Sequence, residues 1–492
     1  MIAVQTKPNR KTIIAGIAMF AANVVVLLAI TFFMIELNYN FKGLAFIKDN
    51  PYNIIFVASA VLFLSVLTYG YLFFECKEVL FNLARLCELF LLLDLSVLAS
   101  FLIGKYISPE ARPFAFYAIM CATLLGRRIS IFSNVINAIL IFVIDLNINV
   151  DLTVVGHTLE IWKYCAGLLI AFCSGMLAIF FSHRIKTRLQ SILLVFLIII
   201  PIELIISVME LLFAYFGKTT GDTMLLAYGA LGALFSIVLY MILLPFFELL
   251  FKEITIFRLR EITSPSSKLL KKLKDETPGT YNHSVVVSQL TEACALAIGE
   301  DSELARAAAY YHDVGKLKNP QMFTENQSDR NIHNELPPEL SVELIREHAT
   351  YGAKLIKKYH LPDFLADIAV QHHGTMPVKY FYAKALKMTD GELDMEDYSY
   401  VGPAPQTKIA AIIMIADAAE AASRSLTSRT PAKIEALVRN LIEERLNLDQ
   451  FTNCPITMRD LTIITNTITQ ALSGLYHSRI SYPKIQINKK GQ

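Results

Sequence analysis

Residues with metal-binding side chains are concentrated in the second half of the chain. Seven of the ten histidines fall between His283 and His373. The candidate ligands are His283, His312, Asp313, His348, His372, His373 and Asp417. Imidazole binds divalent first-row metals and carboxylate can bridge two cations, so this mixed set predicts two metal ions and a metal-dependent phosphohydrolase. Structural zinc more often recruits thiolates, and the seven cysteines contain no C-x-x-C pair.

Asp417 carries an argument of its own. It lies within residues 408–419, a predicted helix that is apolar nearly all round. An unpaired carboxylate buried in such a helix is strongly unfavourable, so it needs a cation nearby. We favour a metal ion, and the alternative is a buried ion pair with Arg424, two turns along the same helix.

Composition identifies a polytopic membrane protein. The mean hydropathy is +0.47, only 18% of the residues are charged, and the apolar excess lies before Phe251. A span needs about 17 to 25 apolar residues, and eight are predicted: 13–35, 52–74, 87–104, 113–126, 131–148, 160–182, 191–215 and 226–250. The domains are then a basic N-terminus (1–12), a transmembrane domain (13–250), a linker (251–267) and a catalytic domain (268–492).

Lysine and arginine residues in the loops predict the orientation. They precede the first span, separate the fourth from the fifth, and separate the sixth from the seventh: Lys7, Arg10, Lys11, Arg127, Arg128, Arg184, Lys186 and Arg188. With eight spans, these loops and the carboxyl-terminal half all face the cytoplasm. The first span has a basic leader, but its long apolar run favours a retained anchor over a signal peptide.

Acidic residues within the spans are candidates for a sensing function, because ionisable groups are costly in a membrane. They are Glu88, Asp94, Asp145, Glu203 and Glu210. Glu203 and Glu210, one heptad apart in the span that contains Pro201, are the best candidates for a bundle-lined sensing cavity. Interfacial placement or a helix–helix hydrogen bond is the alternative.

The second half is predicted to be all-helical. Apolar residues recur at helical spacing in residues 284–298, 303–311, 341–359 and 431–445. The fold class is therefore all-α, a polytopic helical membrane domain followed by a cytoplasmic helical domain. The net charge of +2 and the absence of a long basic tract argue against DNA or RNA polymers as partners.

Several motifs in order resemble one family. His312-Asp313-Val314-Gly315-Lys316 resembles the HD-domain signature. The neighbouring motifs are Thr277 to Ser284, Tyr310-Tyr311, Glu325-Asn326-Gln327, His372-His373-Gly374-Thr375 and Tyr380-Phe381-Tyr382. Together they resemble the seven-transmembrane HD receptors, the PgpH-type cyclic di-AMP phosphodiesterases, from about Thr255 to Pro483. Those receptors carry a large extracytoplasmic domain after the first span, whereas only residues 37–51 stand there in this chain, which leaves a natural or an engineered shortening open.

The resemblance implies a partition of the ligands between two ions. One metal takes His283, His312, Asp313 and Asp417, and the other shares Asp313 and takes His348, His372 and His373. A water activated by both ions would attack the phosphodiester. Manganese or iron is favoured, and cobalt and zinc remain compatible with this ligand set.

Substrate-binding roles are predicted for further residues, whose types restrict the function less than those of the metal ligands do. Lys316, one turn from His312, is placed to bind a phosphate oxygen and act with Asp313 in catalysis; an ordinary solvated lysine is the alternative. Arg424 is a second phosphate-binding candidate. Base-binding candidates are Tyr281, Asn326, Gln327 and Tyr382, for which packing or capping roles are equally compatible with the sequence.

The substrate expected from the resemblance is cyclic di-AMP, cut to linear pApA at a bacterial cytoplasmic membrane. Gly374-Thr375-Met376-Pro377 follows the paired histidines, where HD-GYP enzymes that cleave cyclic di-GMP carry Gly-Tyr-Pro. Alternatives are a hydrolase of guanosine tetraphosphate or cyclic di-GMP, and a non-catalytic nucleotide-sensing receptor. The oligomeric state and the sensed signal stay open.

Overall fold

The computed structural model describes residues 10–41, 43–49, 51–149, 158–217, 224–327, 331–389 and 392–475. Within these ranges all regular elements are helices and there is no strand, which confirms the all-α prediction. The chain divides into two compact units between Phe257 and Arg258, inside the predicted linker. Residues 1–9 of the predicted basic N-terminus, Lys7 among them, lie outside the described residues.

The first unit consists of long apolar helices. Its helices are α1 Arg10–Asn38, α2 Gly43–Asp49, α3 Pro51–Glu75, α4 Lys77–Leu80, α5 Leu83–Tyr106, α6 Phe116–Leu124, α7 Arg127–Asn149, α8 Thr158–Ser182, α9 Leu194–Tyr215 and α10 Leu225–Phe251, with 3-10 turns at Pro109–Ala111 and Leu189–Leu193. In the described ranges, seven are long and apolar enough to cross a membrane: α1, α3, α5, α7, α8, α9 and α10. The protein is a multi-pass membrane protein.

The fourth predicted span, 113–126, was wrong as a full-length span. Only Phe116–Leu124 is helical there, and nine residues at about 1.5 Å each reach roughly half of a hydrocarbon core about 30 Å thick. This helix, α6, packs against α5, α7, α8 and α10, and Phe116, Tyr117 and Ile119 are buried. Its apolar sequence therefore reflects burial among neighbouring helices, which a hydropathy window does not distinguish from lipid contact.

Charged side chains identify one end of this bundle. At one end, Arg188, between α8 and α9, lies 2.6 Å from Glu248 near the end of α10. Arg85 in the first turn of α5 lies 3.0 Å from Glu253, just beyond α10. Arg127, which begins α7, lies over the ring of Phe180 near the end of α8. The basic loops and the exit of α10 therefore share one end.

The second unit is a helical domain whose core surrounds α18. Its helices are α11 Ile256–Ile262, α12 Lys268–Glu276, α13 Pro278–Ile298, α14 Ser302–Tyr311, α15 Pro338–Lys358, α16 Asp363–Gln371, α17 Lys379–Leu386, α18 Lys408–Arg424, α19 Pro431–Asn447 and α20 Met458–Leu475. Short 3-10 turns lie at Val314–Leu317, Pro320–Met322, Thr324–Asn326, Ile332–Asn334 and Glu396–Tyr398. All residues from Ile409 to Ala416 are buried, as the apolar pattern predicts. Helices α13, α14, α19 and α20 pack against α18.

Candidate metal centre

Five helices bring the seven predicted ligands together. The ligands are His283 on α13, His312 and Asp313 at the end of α14, His348 on α15, His372 and His373 after α16, and Asp417 on α18. They form two groups, and within each group the ligand atoms all lie within 4.8 Å of one another. The groups are His283, His312, Asp313 and Asp417, and Asp313, His348, His372 and His373. Asp313 is common to both.

The two oxygens of Asp313 face different groups. Oδ2 lies 3.3 Å from Nε2 of His312 and 3.7 Å from Nε2 of His283. Oδ1 lies 3.3 Å from Nε2 of His348 and 3.6 Å from Nε2 of His372. One carboxylate thus presents an oxygen to each group, the arrangement expected of a bridging ligand.

Backbone carbonyls fix the orientation of three imidazoles. Nδ1 of His312 donates to the carbonyl of Ala309 at 2.6 Å, Nδ1 of His348 to that of Ile345 at 2.6 Å, and Nδ1 of His372 to that of Ala369 at 2.9 Å. Because a carbonyl can only accept, each Nδ1 carries a hydrogen and each neutral ring presents the lone pair of Nε2 to the site. Metal-binding histidines are commonly held in this way.

The donor atoms fit a cation. Nε2 of His348 and Nε2 of His372 lie 3.3 Å apart, so two lone pairs face each other when both rings are neutral. Nε2 of His312 and Oδ1 of Asp313 are buried and have no hydrogen-bond partner among the described residues. Buried polar atoms without a partner are rare and costly. A metal ion in the first group would satisfy Nε2 of His312, and one in the second group would satisfy Oδ1 of Asp313.

The electrostatics of the first group also call for positive charge. Burial alone would lower the pKa of His312, but Asp313 and Asp417 outweigh it and raise that pKa to about 10. Burial opposes ionisation of Asp417, yet His283 and His312 hold its pKa well below the usual range. In the second group, burial lowers the pKa of His348 to about 4. The second group therefore keeps a neutral, metal-ready imidazole at ordinary pH.

His283 is oriented by a carboxylate and not by the backbone. Its Nδ1 lies 2.6 Å from Oε2 of Glu420, and its Nε2 lies 2.9 Å from Oδ1 of Asp417. Arg424 pairs with the other oxygen of Glu420, at 2.8 Å from Nε and 2.6 Å from Nη2. Arg424 therefore pairs with Glu420 and not with Asp417, so the predicted alternative of an Arg424–Asp417 ion pair was wrong. Arg424 is 45% exposed and is engaged with Glu420.

Lys316 lies inside the site and is not an ordinary solvated lysine. Its Nζ is 2.7 Å from Oδ2 of Asp313 and 2.8 Å from Oε1 of Glu325, and its side chain is 12% exposed. Burial would lower the pKa of Lys316, but Asp313 and Glu325 raise it above the ordinary value. The ammonium also lies 4.8 Å from the centre of the Phe323 ring.

Gly315 of the signature allows α15 to reach the site. A Cβ added at residue 315 would lie 1.8 Å from the carbonyl oxygen of His348 and 2.6 Å from the amide nitrogen of Gly352. Atoms cannot approach so closely, so the turn after Asp313 packs directly on the backbone of α15. This contact sets the distance between Asp313 and His348.

Tyr400 lies against two histidines of the second group. Its ring is stacked on that of His373, with centroids 4.3 Å apart and an interplanar angle of 28°. It lies on an irregular segment after α17, which Arg346 holds by donating to the carbonyls of Asp397 and Ser399 at 3.1 and 2.9 Å. The ring of Tyr400 is therefore held beside His373 by a segment that Arg346 anchors.

The four predicted base-binding residues have other partners in this structure. Asn326 exchanges hydrogen bonds with Thr280, donating to its hydroxyl at 2.8 Å and accepting from its amide at 3.2 Å. Gln327 donates to the carbonyl of Gln321 at 2.9 Å. Tyr382 packs in a small cluster with Tyr398. Tyr281 packs at the edge of the main core.

Sequence reasoning missed three residues of the site. Glu420 lies one turn beyond Asp417 in the same apolar helix, so the argument that singled out Asp417 applied to it equally. Glu325 stood within a quoted motif but was assigned no role, although it holds Lys316 and accepts from the hydroxyl of Thr280 at 3.1 Å. Tyr400 lies outside regular structure, and no periodic signal marks it.

Comparison with known proteins identifies both halves of the chain. Residues 51–255 match the sequence model of the family described as 7TM receptor with intracellular HD hydrolase. Residues 280–422 match that of the HD domain. The chain is 39% identical over 376 residues to the cyclic-di-AMP phosphodiesterase PgpH of Bacillus subtilis, covering 76% of this chain and 51% of the relative.

Two further comparisons concern Listeria monocytogenes. The cyclic-di-AMP phosphodiesterase PgpH of that organism is 45% identical over 261 residues, which is 53% of this chain and 36% of the relative. A crystal structure of its HD domain in complex with cyclic-di-AMP is 48% identical and covers 44% of this chain and 99% of that chain, with a TM-score of 0.42.

The chain spans about half, or less, of the length of the curated relatives it matches. The two family models nevertheless match it consecutively, the membrane helices first and the helical domain second. The sequence identity extends over three quarters of the chain. The chain therefore belongs to the family of seven-transmembrane receptors with an intracellular HD hydrolase.

Proposed function

We propose that this protein is a phosphodiesterase that hydrolyses cyclic di-AMP to linear pApA. The observation that carries the proposal is the carboxylate of Asp313, whose two oxygens face two separate groups of imidazoles. A set of this kind suits two-metal hydrolysis of a phosphodiester. The Bacillus and Listeria relatives are cyclic-di-AMP phosphodiesterases by name.

The residues that would hold the metals are those of the two groups. His283, His312 and Asp417 would hold one ion, His348, His372 and His373 the other, and Asp313 both. Two bound divalent ions would supply an activated water and stabilise charge on the phosphate. Manganese or iron is favoured for a His/Asp set, and cobalt and zinc fit the same ligands.

Hydrolysis adds one water across one P–O bond of the cyclic dinucleotide. The oxygen of water joins phosphorus, the bond from phosphorus to the 3′ oxygen breaks, and the 3′ oxygen takes up a proton. Lys316 is the buried ammonium nearest to Asp313, and we assign it to the nonbridging phosphate oxygens, where a fixed positive charge stabilises the transition state. Arg424 holds Glu420 and is 45% exposed, and its contact with a phosphate stays a prediction.

We further propose that the helical domain faces the cytoplasm of a bacterium. Counting back from the exit of α10, α10 and α9 each cross the bilayer and return the chain to the same side at the loop containing Arg188. Helices α8 and α7 then cross twice more and return the chain to that side at Arg127. Both basic loops then lie on the side of the catalytic domain, as the positive-inside rule requires. This argument does not depend on whether α6 crosses the membrane.

Product analysis with the full-length protein in lipid nanodiscs tests the function. We expect cyclic di-AMP with manganese to yield pApA, and we expect Asp313→Ala to abolish it. A matched control is Glu435→Gln on α19, whose carboxylate forms an exposed ion pair with Arg439. Cleavage of cyclic di-GMP or guanosine tetraphosphate but not cyclic di-AMP would replace the substrate. Bound metal without turnover of any of the three would indicate a nucleotide-sensing receptor.

A further inference from the structure

The membrane unit contains a cavity of about 330 Å³ at the end opposite the exit of α10. Its wall is formed by the segment after α5 and by α7, α8, α9 and the start of α10. It reaches Asp145 near the end of α7 and Lys163 near the start of α8. The volume falls in the range of about 300 to 1,000 Å³ that is usual for small-molecule sites.

One charged pair in the cavity wall is already complete. Arg112 and Asp145 form a buried two-pronged ion pair, with Nη2 3.1 Å from Oδ1. The guanidinium lies against Gly104, where a Cβ would be 2.3 Å from its Nε. This pair is therefore fixed and neutral, so it contributes no net charge for a ligand to balance.

The remaining charges of the cavity wall are mainly negative. Glu110 and Glu210 line the cavity, and Lys163 is the other charged residue there. Glu110 accepts a hydrogen bond from the hydroxyl of Ser108. Among the described residues, neither glutamate has an ion-pair partner, and Lys163 is exposed. A carboxylate in a partly apolar site is stabilised by a cation, so the cavity favours positive charge.

Apolar side chains make up the rest of the wall. Phe114, Ile141, Phe142, Ile170, Ile206 and Phe213 are among them. A bare metal ion or a small polar solute would leave this surface without contacts. The occupant that matches both parts has an apolar body and one cationic group.

We propose that this cavity binds a small amphiphilic amine. The ammonium group pairs with the carboxylates of Glu110 and Glu210, and the hydrocarbon part contacts the aromatic and aliphatic wall. The inference concerns the membrane unit alone and does not depend on hydrolysis by the other unit. The proposal assigns a ligand to Glu210, which its sequence position indicates as a candidate for a sensing cavity.

The sequence offers a reporter beside this cavity. Trp162 is the only tryptophan of the chain, it precedes Lys163 on α8, and it is 57% exposed. The full-length protein in phosphatidylcholine nanodiscs is titrated with octylamine while tryptophan fluorescence is recorded. Octanol and octanoate are titrated in parallel, because they share the chain but lack the positive charge. A saturable change with octylamine alone is the expected result.

Two kinds of variant separate binding from general partitioning into lipid. Glu210→Gln removes one charge, and we expect the octylamine midpoint to rise about tenfold, as for loss of a charge-assisted contact. Glu75→Gln is the matched control at the end of α3, away from the cavity wall. Gly167→Leu fills the cavity, because Gly167 lines it and a Cβ there would have no atom within 4 Å.

Gly167→Leu also tests whether a lost octylamine response reflects lost binding or an unfolded protein. Leucine is favoured over glycine in a helix interior, so this variant is expected to keep its thermal unfolding midpoint while losing the octylamine response. Equal responses to all three compounds, or an unchanged octylamine midpoint in both Glu210→Gln and Gly167→Leu, would overturn the proposal. A saturable response to octanoate alone would overturn the assignment of a cationic ligand.

Discussion

Glu420 accepts a hydrogen bond from Nδ1 of His283 at 2.6 Å, and it does so through one oxygen while Arg424 holds the other. Three other imidazoles of the site donate the corresponding bond to a backbone carbonyl of their own helix turn. His283 on α13 depends instead on α18, the helix that also carries Asp417. The orientation of this ligand is therefore a tertiary property.

Replacing Glu420 should weaken the first metal group and leave the second intact. In Glu420→Ala the ring of His283 loses its fixed orientation, and a loss of about 10- to 100-fold in metal affinity is expected for a group of this kind. Glu420→Gln retains an acceptor oxygen and should restore most of the affinity. Manganese binding followed by electron paramagnetic resonance measures both. Equal affinities for Glu420→Ala and wild type would exclude the positioning role.

Asp313 and Asp417 should differ in how many metal ions they control. Asp313 faces both groups, whereas Asp417 belongs to one. Asp313→Ala should therefore lower the metal content of the purified protein to near zero, and Asp417→Ala should lower it by about one ion, as expected if a bridging ligand serves two ions. Elemental analysis provides the count. Two ions retained by Asp313→Ala would contradict the bridge.

A methyl group at residue 315 should separate α15 from the turn after Asp313. Gly315→Ala places a carbon against the carbonyl of His348, and overpacking of this kind costs about 1 to 3 kcal/mol. We expect a lower unfolding midpoint and selective loss of the metal held by His348. Gly474→Ala on α20 is the control, since a Cβ there meets open space. Full metal content in Gly315→Ala would show that α15 can shift without losing the ligand.

Metal binding at the first group should strengthen with rising pH. His312 has a pKa raised to about 10 in the metal-free site, and the pKa of His283 is raised too, because Asp417 and Glu420 outweigh its burial. His312 is then protonated at neutral pH and must lose this proton when a metal binds, and the raised pKa of His283 acts in the same direction. The affinity therefore rises with pH until His312 is neutral. Calorimetry in buffers of different ionisation enthalpy counts the protons released. Affinity independent of pH between 6.5 and 9 would refute this account.

Lys316 should act on turnover and not on metal content. Lys316→Met removes the ammonium beside Asp313, and loss of one such stabilising group costs about 100- to 1,000-fold in kcat. Lys318→Met is the control, because Lys318 pairs with Glu347 at the surface. The measurement is pApA formation beside elemental analysis. Loss of metal together with activity would assign Lys316 to the integrity of the site.

The seven candidate ligands could be selected from sequence because metal binding restricts the residue types to a few. The structure brings these side chains, from His283 to Asp417, into two groups. The contacts of Glu420 and Tyr400 depend on packing between distant elements, and so does the hydrogen bond from Asn326 to Thr280. The short helix α6 was mistaken for a span because burial in protein and burial in lipid favour the same residues.

The two candidate metal groups differ in the protonation of their ligands before any ion binds. In the first, Asp313 and Asp417 raise the pKa of His312 to about 10, so a proton on this ring competes with an incoming ion. In the second, burial lowers the pKa of His348 to about 4, and Oδ1 of Asp313 has no hydrogen-bond partner among the described residues. We therefore expect an incoming ion to displace a proton from His312 at the first group and none from His348 at the second. Metal loading is then expected to begin at the second group, on the side of α15.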